Sequence, residues 1–176
     1  MKIGCGTVLF RLFELERSLA AIREIGFEYF ETQAVGPWCP HVNVERDDPE
    51  MLVRLKNKYG FKEITGLWSL DGNIISNSKA VESGVRSVEW AAAAGIPVLH
   101  TGDGHKPADM SEEDAFQVFA EKLSYILDAA KKNRRCWMAR IWNMCPRGRN
   151  LPYPEVIAIA STIFGLLSLR LSRMRW

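Results

Sequence analysis

The chain has 176 residues, of which 47% are hydrophobic and 25% charged, the composition of a globular protein with its own core. The start of the chain lacks the pattern of a secretory signal, and the four cysteines form no CxxC pair. We therefore expect a cytoplasmic protein with reduced thiols and without a zinc site built from cysteine pairs.

Alternating strand-like and helix-like segments occupy the first 133 residues. Apolar and β-branched runs predict the strands, helical periodicity predicts the helices, and Asp, Ser and Gly mark their ends. In chain order, we predict strand Lys2–Cys5, helix Glu14–Ile25, strand Phe27–Gln33, a helix from the Asp48 cap to Gly60, strand Phe61–Ser69, helix Ser78–Ala94, strand Ile96–Thr101, and a helix from the Ser111 capping box to Lys132.

Two of the helices have a well-defined apolar face. The side chains predicted to be buried are Leu15, Leu19, Ala21, Ile22 and Ile25 in the first helix and Val81, Val85, Val88 and Ala92 in the third. Four strands alternating with helices indicate an α/β fold with parallel strands. The architecture is either part of a TIM barrel or an open doubly wound sheet. The Gly4-Cys5-Gly6 turn lacks the third glycine typical of dinucleotide-binding sheets.

Several segments resemble the xylose isomerase-like TIM barrels, a family of sugar isomerases, sugar-phosphate epimerases and apurinic endonucleases. They are Lys2-Ile3-Gly4, Gly26-Phe27-Glu28-Tyr29-Phe30-Glu31, Ala93-Ala94-Gly95-Ile96-Pro97-Val98-Leu99-His100-Thr101-Gly102, and the helix end Leu127-Asp128-Ala129-Ala130-Lys131-Lys132. The resemblance covers residues 1–133. It implies the N-terminal half of such a barrel, that is, a partial (βα) barrel of about four units.

The resemblance also implies a reaction. Its isomerases and epimerases use a divalent metal, Mn²⁺, Mg²⁺ or Zn²⁺, to stabilise an enediolate while glutamates transfer a proton on a sugar or sugar phosphate. The metal carboxylates come from strands five to eight. The segment expected to form strand five, residues 134–144, contains no acidic residue. We therefore expect this chain to lack most metal ligands and a complete active site, and no catalytic residue is identified.

Four residues are candidates for substrate binding. Glu31 is predicted to close the second strand, Trp68 the third and His100 the fourth, at the end of the sheet where such barrels carry their sites. Asp103 follows in a glycine-rich loop. By resemblance, His100 is also the candidate metal ligand. The alternatives are a solvated carboxylate at Glu31, a packing aromatic at Trp68, a hydrogen-bonded rim histidine at His100 and a turn residue at Asp103.

Trp38 and His41 lie in the long loop after the second strand. In such barrels this loop contributes to substrate specificity. The alternative is a loop whose aromatic residues have no such role.

Residues 134–176 differ sharply from the rest of the chain. Residues 1–133 carry nine Lys, six Arg and twenty acids, a net charge of −5, whereas residues 134–176 carry eight Arg, no Lys and one acid, a net charge of +7. Their apolar run, residues 156–169, has 14 residues, short of the roughly 20 that span a bilayer. The segment is either a helical appendage or the product of a shifted reading frame.

The partners follow from these features. We expect a small-molecule sugar or sugar phosphate as ligand and self-association through the open edges of a half barrel. A nucleic-acid partner is not expected, because the acidic body would repel phosphates. An alternative function is a non-catalytic half-barrel module that associates with a membrane or a protein through its basic, apolar tail.

Overall fold

This computed structural model describes residues 3–69, 74–102 and 106–133. Asp103 and residues 134–176 lie outside the described residues. The structure therefore does not test whether the tail is a helical appendage, the product of a shifted reading frame, or a segment that associates with a membrane or a protein. The division of the chain into two segments at residue 133 therefore stays a prediction.

A parallel sheet with helices between its strands forms the described part of the chain. The elements are β1 (Cys5–Gly6), a 3₁₀ helix (Thr7–Phe10), α1 (Leu15–Ile25), β2 (Tyr29–Ala34), α2 (Pro49–Lys58), β3 (Glu63–Ser69), α3 (Ala80–Ala93), β4 (Leu99–His100) and α4 (Glu112–Lys132). The strands pair in the order β1-β2-β3-β4, and every pairing is parallel. The predicted α/β fold, a partial barrel of four βα units, is confirmed.

The two edge strands are shorter than the sequence predicts. β4 has only two residues, Leu99 and His100, where Ile96–Thr101 was predicted. The backbone explains the difference, because the Ile96 N–H donates to Ala91 O and so completes the end of α3, and Pro97 has no N–H to donate. Likewise, β1 begins at Cys5 rather than at Lys2.

Local sequence signals place the helix ends correctly. Asp48 Oδ1 accepts a hydrogen bond from the Glu50 N–H at the start of α2, with Pro49 at the first helical position. Ser111 Oγ accepts from the Asp114 N–H at the start of α4. Gly26 ends α1 with φ at +106°, a left-handed conformation that glycine adopts without strain.

The core lies between the sheet and the helices. Phe30 and Leu67 are fully buried on the helix-facing side of the sheet, and the ring centroids of Phe30 and Phe61 are 4.7 Å apart. Leu19 and Ile22 of α1 are also fully buried, as predicted. Burial of this apolar surface is the main force that stabilises the sheet and helices.

Two predicted helix faces are partly wrong. Ile25 is 65% exposed, because it lies in the last turn of α1, beside the exposed Ile3 at the rim of a shallow cavity. In α3, Val88 is buried as predicted, but Val81, Val85 and Ala92 are only half-buried. The buried face of α3 consists of Ala80, Gly84, Ser87, Val88, Trp90 and Ala91, which lets α4 pack closely against it.

None of the described helices is long and apolar enough to cross a membrane.

Close packing of α3 on α4 makes Gly84 sensitive to substitution. A Cβ atom at Gly84 would lie 2.7 Å from Ile126 Cγ1, and Ile126 is itself buried. In an exposed helix, Gly→Ala stabilises by about 1 kcal/mol. Here we expect Gly84→Ala to lower the free energy of unfolding by about 1–3 kcal/mol, because overpacking outweighs helix propensity. Urea denaturation measures the change.

Two further variants control this measurement. Glu89→Ala, on the exposed face of the same helix, should stay within about 0.5 kcal/mol of the parent chain. Gly84→Ala combined with Ile126→Val should be less destabilised than the sum of the two single changes, because the shorter side chain makes room. Strict additivity would contradict close packing at this point.

Candidate functional site

Three of the four predicted site residues lie together on the inner face of the sheet, which points away from the core. Parallel register pairs Glu31 with Gly66, Gln33 with Trp68, and Trp68 with His100. Paired residues on neighbouring strands point to the same side, so these side chains share one face. The fourth candidate, Asp103, lies outside the described residues.

The prediction that Glu31 closes the second strand is wrong. β2 continues for three further residues to Ala34, because its pairing with β3 extends as far as Ser69. Glu31 therefore lies inside the strand, below the rim. Trp68 is the penultimate residue of β3 and His100 the last residue of β4, close to their predicted positions.

Glu31 and His100 are in direct contact at the centre of the site. His100 Nε2 lies 3.1 Å from Glu31 Oε2, and the side chains are only 15% and 29% exposed. The other carboxylate oxygen, Glu31 Oε1, accepts a hydrogen bond of 3.3 Å from Gln33 Nε2. The imidazole of His100 also lies parallel to the indole of Trp68, with an interplanar angle of 6° and ring centroids 5.9 Å apart. The Glu31 carboxylate at Nε2 and the parallel indole of Trp68 together define the position of the imidazole.

Gly66 leaves the space in which this pair forms. A Cβ atom at Gly66 would lie 3.0 Å from both Glu31 Oε2 and His100 Nε2. The register between β2 and β3 shifts by one residue between Phe30 and Glu31, which sets Glu31 opposite Gly66. A bulge of this kind commonly redirects a side chain near a functional site.

One atom of the site has no partner. His100 Nδ1 is buried and makes no hydrogen bond among the described residues. When the imidazole is neutral, the Glu31 carboxylate favours the proton on Nε2, because a carboxylate can only accept. Nδ1 then carries a free lone pair. Because Nδ1 is buried, a hydroxyl group or a metal ion would reach this lone pair only after the groups that cover it move.

The described residues do not provide a full metal site. Among residues 3–69, 74–102 and 106–133, no group of three or more His, Cys, Asp or Glu side chains converges closely enough to hold an ion. Glu31 and His100 supply two donor groups at most, and their facing atoms bind each other. The divalent metal that the resemblance implies would need ligands from beyond these residues.

His41, in the loop after β2, was predicted either to contribute to substrate specificity or to have no such role, and its contacts favour the second alternative. His41 is 7% exposed; its Nε2 lies 2.9 Å from Phe13 O and its Nδ1 3.5 Å from Cys39 Sγ. These contacts fix the loop against the segment before α1, so His41 has a structural role. Burial raises the pKa of the adjacent Cys39 thiol, which disfavours a reactive thiolate. Trp38 is half-exposed, with the Arg11 guanidinium 5.6 Å from its ring centroid.

Sequence reasoning missed Gln33 and Gly66. Both follow the alternation of a strand, since Gln33 is two residues after Glu31 and Gly66 two residues before Trp68. This two-residue spacing is the sequence signal that could have identified both residues as part of the site. The bulge that brings Glu31 to Gly66 has no signature in either strand alone.

Comparison with known proteins identifies the fold. No family model and no curated protein match the chain. Among solved structures, it is similar to D-allulose 3-epimerase from Methylomonas sp., with 16% identity and a TM-score of 0.63 over 93% of this chain and 59% of that one. A sugar phosphate isomerase/epimerase from Parabacteroides distasonis ATCC 8503 matches with 15% identity and a TM-score of 0.59, over 93% of this chain and 60% of that one.

A third structure supports the same fold. It is a xylose isomerase domain containing protein from Salmonella typhimurium LT2, with 14% identity and a TM-score of 0.55, over 78% of this chain and 48% of that one. The chain thus has the fold of the xylose isomerase-like TIM barrels, as the sequence resemblance indicates. It spans less than two thirds of the length of these three proteins.

Substitution of Gly66 tests the geometry of the site. We expect Gly66→Ala to lower the free energy of unfolding by about 1 kcal/mol, because the new methyl group forces the end of Glu31 or His100 to shift from their contact. Thermal and urea denaturation measure the loss. Gly6→Ala is the matched control on β1, because its Cβ would lie 3.5 Å from Val8 Cγ1, an ordinary contact. Equal effects at the two positions would contradict this geometry.

Proposed function

We propose that the chain supplies the substrate-binding part of a sugar or sugar-phosphate isomerase or epimerase. The observation that carries this proposal is the Glu31–His100 contact on the inner face of the sheet, near the carboxyl ends of the strands. In barrels of this type, that end of the sheet carries the active site. The sugar-processing names of two similar structures support the substrate class.

The polar groups suit a polyhydroxylated ligand. Glu31 uses one acceptor position on each carboxylate oxygen, towards His100 and Gln33, and each oxygen has a further lone pair for a sugar hydroxyl. His100 Nδ1 is a third acceptor, which a hydroxyl group would reach only after the groups that cover it move. The indole of Trp68 offers apolar surface beside them, which suits the C–H groups of a sugar ring. Asp103 is proposed for the same site from the sequence alone.

The same pair can also move a proton. Because Nε2 faces the Glu31 carboxylate, His100 can exchange a proton with a substrate oxygen only at Nδ1, once a ligand displaces the groups that cover that atom, while Glu31 balances the charge. This step would assist the proton transfer through an enediolate that the resemblance implies. The cation proposed for that chemistry needs ligands outside the described residues, and the roles given to Glu31, Gln33, Trp68 and His100 do not depend on it.

Sugar binding provides the test. We expect the chain to bind ketopentoses, ketohexoses or their phosphates, detected by saturation-transfer NMR. Glu31→Gln and His100→Asn should each weaken binding by about tenfold or more, because each leaves a hydroxyl or its partner unpaired. Glu28→Gln is the matched control, since Glu28 is a surface carboxylate paired with Lys62. Unchanged binding in Glu31→Gln and His100→Asn, or no binding to any member of the panel, would refute the proposal.

We also propose that the chain self-associates through its sheet edges. Within the described residues, β1 and β4 each pair with a neighbour on one side only, which leaves backbone groups open to another strand. Ile3, beside β1, is 59% exposed.

Sedimentation velocity tests this association. We expect a concentration-dependent dimer or higher assembly, which Ile3→Lys should weaken by placing a charge at the β1 edge. Tyr125→Lys is the control, because Tyr125 is similarly exposed but lies in a helix, α4, rather than beside an edge strand. A compact monomer at every concentration would contradict self-association.

A further inference from the structure

The ammonium group of Lys122 is bound by three backbone carbonyls from a single short segment. Lys122 lies in α4, and its Nζ donates to Ile74 O at 2.9 Å, Ile75 O at 2.7 Å and Asn77 O at 2.9 Å. We call these three oxygens the carbonyl cage. An ammonium group has three protons and no acceptor, so the cage satisfies all of its donors.

The carbonyl cage depends on the turn in the backbone of residues 74–77. Three carbonyls from residues 74, 75 and 77 converge on one point when the chain turns there, and Lys122 lies 45 to 48 positions further along the sequence. Ile74 and Ile75 are 1% and 3% exposed, so water has little access to this part of the segment. Without the ammonium, buried carbonyls would lose their charged partner.

The segment also starts α3. Asn77 O accepts from the Ala80 N–H at 3.2 Å, and Asn77 Oδ1 accepts from the Lys79 N–H at 2.9 Å. The cage therefore joins the beginning of α3 to the middle of α4. The same helix is joined to β3, because Ser69 Oγ, at the end of β3, lies 2.7 Å from Ser87 Oγ of α3.

We propose that Lys122 is a positioning residue that, by means of its positive charge, fixes residues 74–80 at the start of α3. Through the Ser87–Ser69 hydrogen bond of α3 it also positions the end of β3 that carries Trp68. The effect on Trp68 as a ligand-binding surface rests on the proposed function. The carbonyl cage itself does not, because it can be measured without any sugar. The charge, rather than the aliphatic stem, is the essential part, since all three contacts are made by Nζ.

Amide hydrogen exchange of the whole chain tests the cage. Lys122→Met keeps an unbranched side chain and removes the charge. We expect exchange in residues 74–80 to rise by about tenfold or more, because opening of the segment no longer breaks three charge-assisted hydrogen bonds. Lys131→Met is the matched control on the same helix, since Lys131 is an exposed partner of Asp128, and it should leave exchange unchanged. Equal exchange in the two variants would overturn the proposal.

Chemical rescue separates charge from packing. Lys122→Ala removes the stem and leaves space for a small amine. We expect n-propylammonium chloride to slow the exchange of residues 74–80 in this variant, whereas 1-propanol and sodium chloride should not. Rescue by 1-propanol as well would show a packing role and overturn the proposal. If neither variant folds, Lys122→Arg keeps the charge and N–H donors, and its exchange in residues 74–80 should stay close to that of the parent chain; a rise of about tenfold there would overturn the proposal.

The link to the candidate site has its own readout. We expect the indole N–H resonance of Trp68, assigned with Trp68→Phe, to shift in Lys122→Met and not in Lys131→Met. Faster exchange without a shift at Trp68 would overturn the positioning role. Absence of sugar binding by the parent chain would refute the proposed function and leave both of these measurements interpretable.

Discussion

A carboxylate and an imidazole meet on the inner face of the sheet, and the arrangement of that face depends on their contact. The 3.1 Å approach of His100 to Glu31 links β4 to β2 across the intervening β3. Glycine at position 66 leaves room for the contact, because a Cβ atom there would lie 3.0 Å from both groups. It also sets Gln33 against Glu31 and Trp68 against His100. The two side chains are only 15% and 29% exposed, and the carboxylate orients the imidazole by accepting from Nε2.

One face of the sheet forms the core and the other carries the candidate site. Phe30 and Leu67 on the helix side are fully buried and stabilise the fold by removing apolar surface from water. The inner side carries ionisable and amide groups that are hydrogen-bonded to one another, with His100 Nδ1 left over. Strand alternation produces this separation directly, since neighbouring residues of β2 point to opposite sides. The same sheet can therefore hold a core and a binding site within a few residues.

Sequence reasoning succeeded where the signal is local. The Asp48 and Ser111 caps, the left-handed Gly26 and the order of strands and helices follow from short patterns. Features that depend on distant backbone were not predicted. β4 is short because the Ile96 N–H completes the end of α3, and the bulge at Thr65 of β3 depends on pairing with β2, some 35 positions earlier. In the site, the strand ends indicated Trp68 and His100, whereas Gln33 and Gly66 became apparent only when the strands were paired.

The tautomer of His100 tests the central claim most directly. Long-range ¹H–¹⁵N correlation spectra distinguish the two ring nitrogens of each of the three histidines. At a pH where the ring is neutral, we expect His100 to carry its proton on Nε2, with Nδ1 unprotonated, and to lose that preference in Glu31→Gln. A proton on Nδ1, or the same tautomer mixture with and without the Glu31 carboxylate, would show that Glu31 does not orient His100 and would contradict the account.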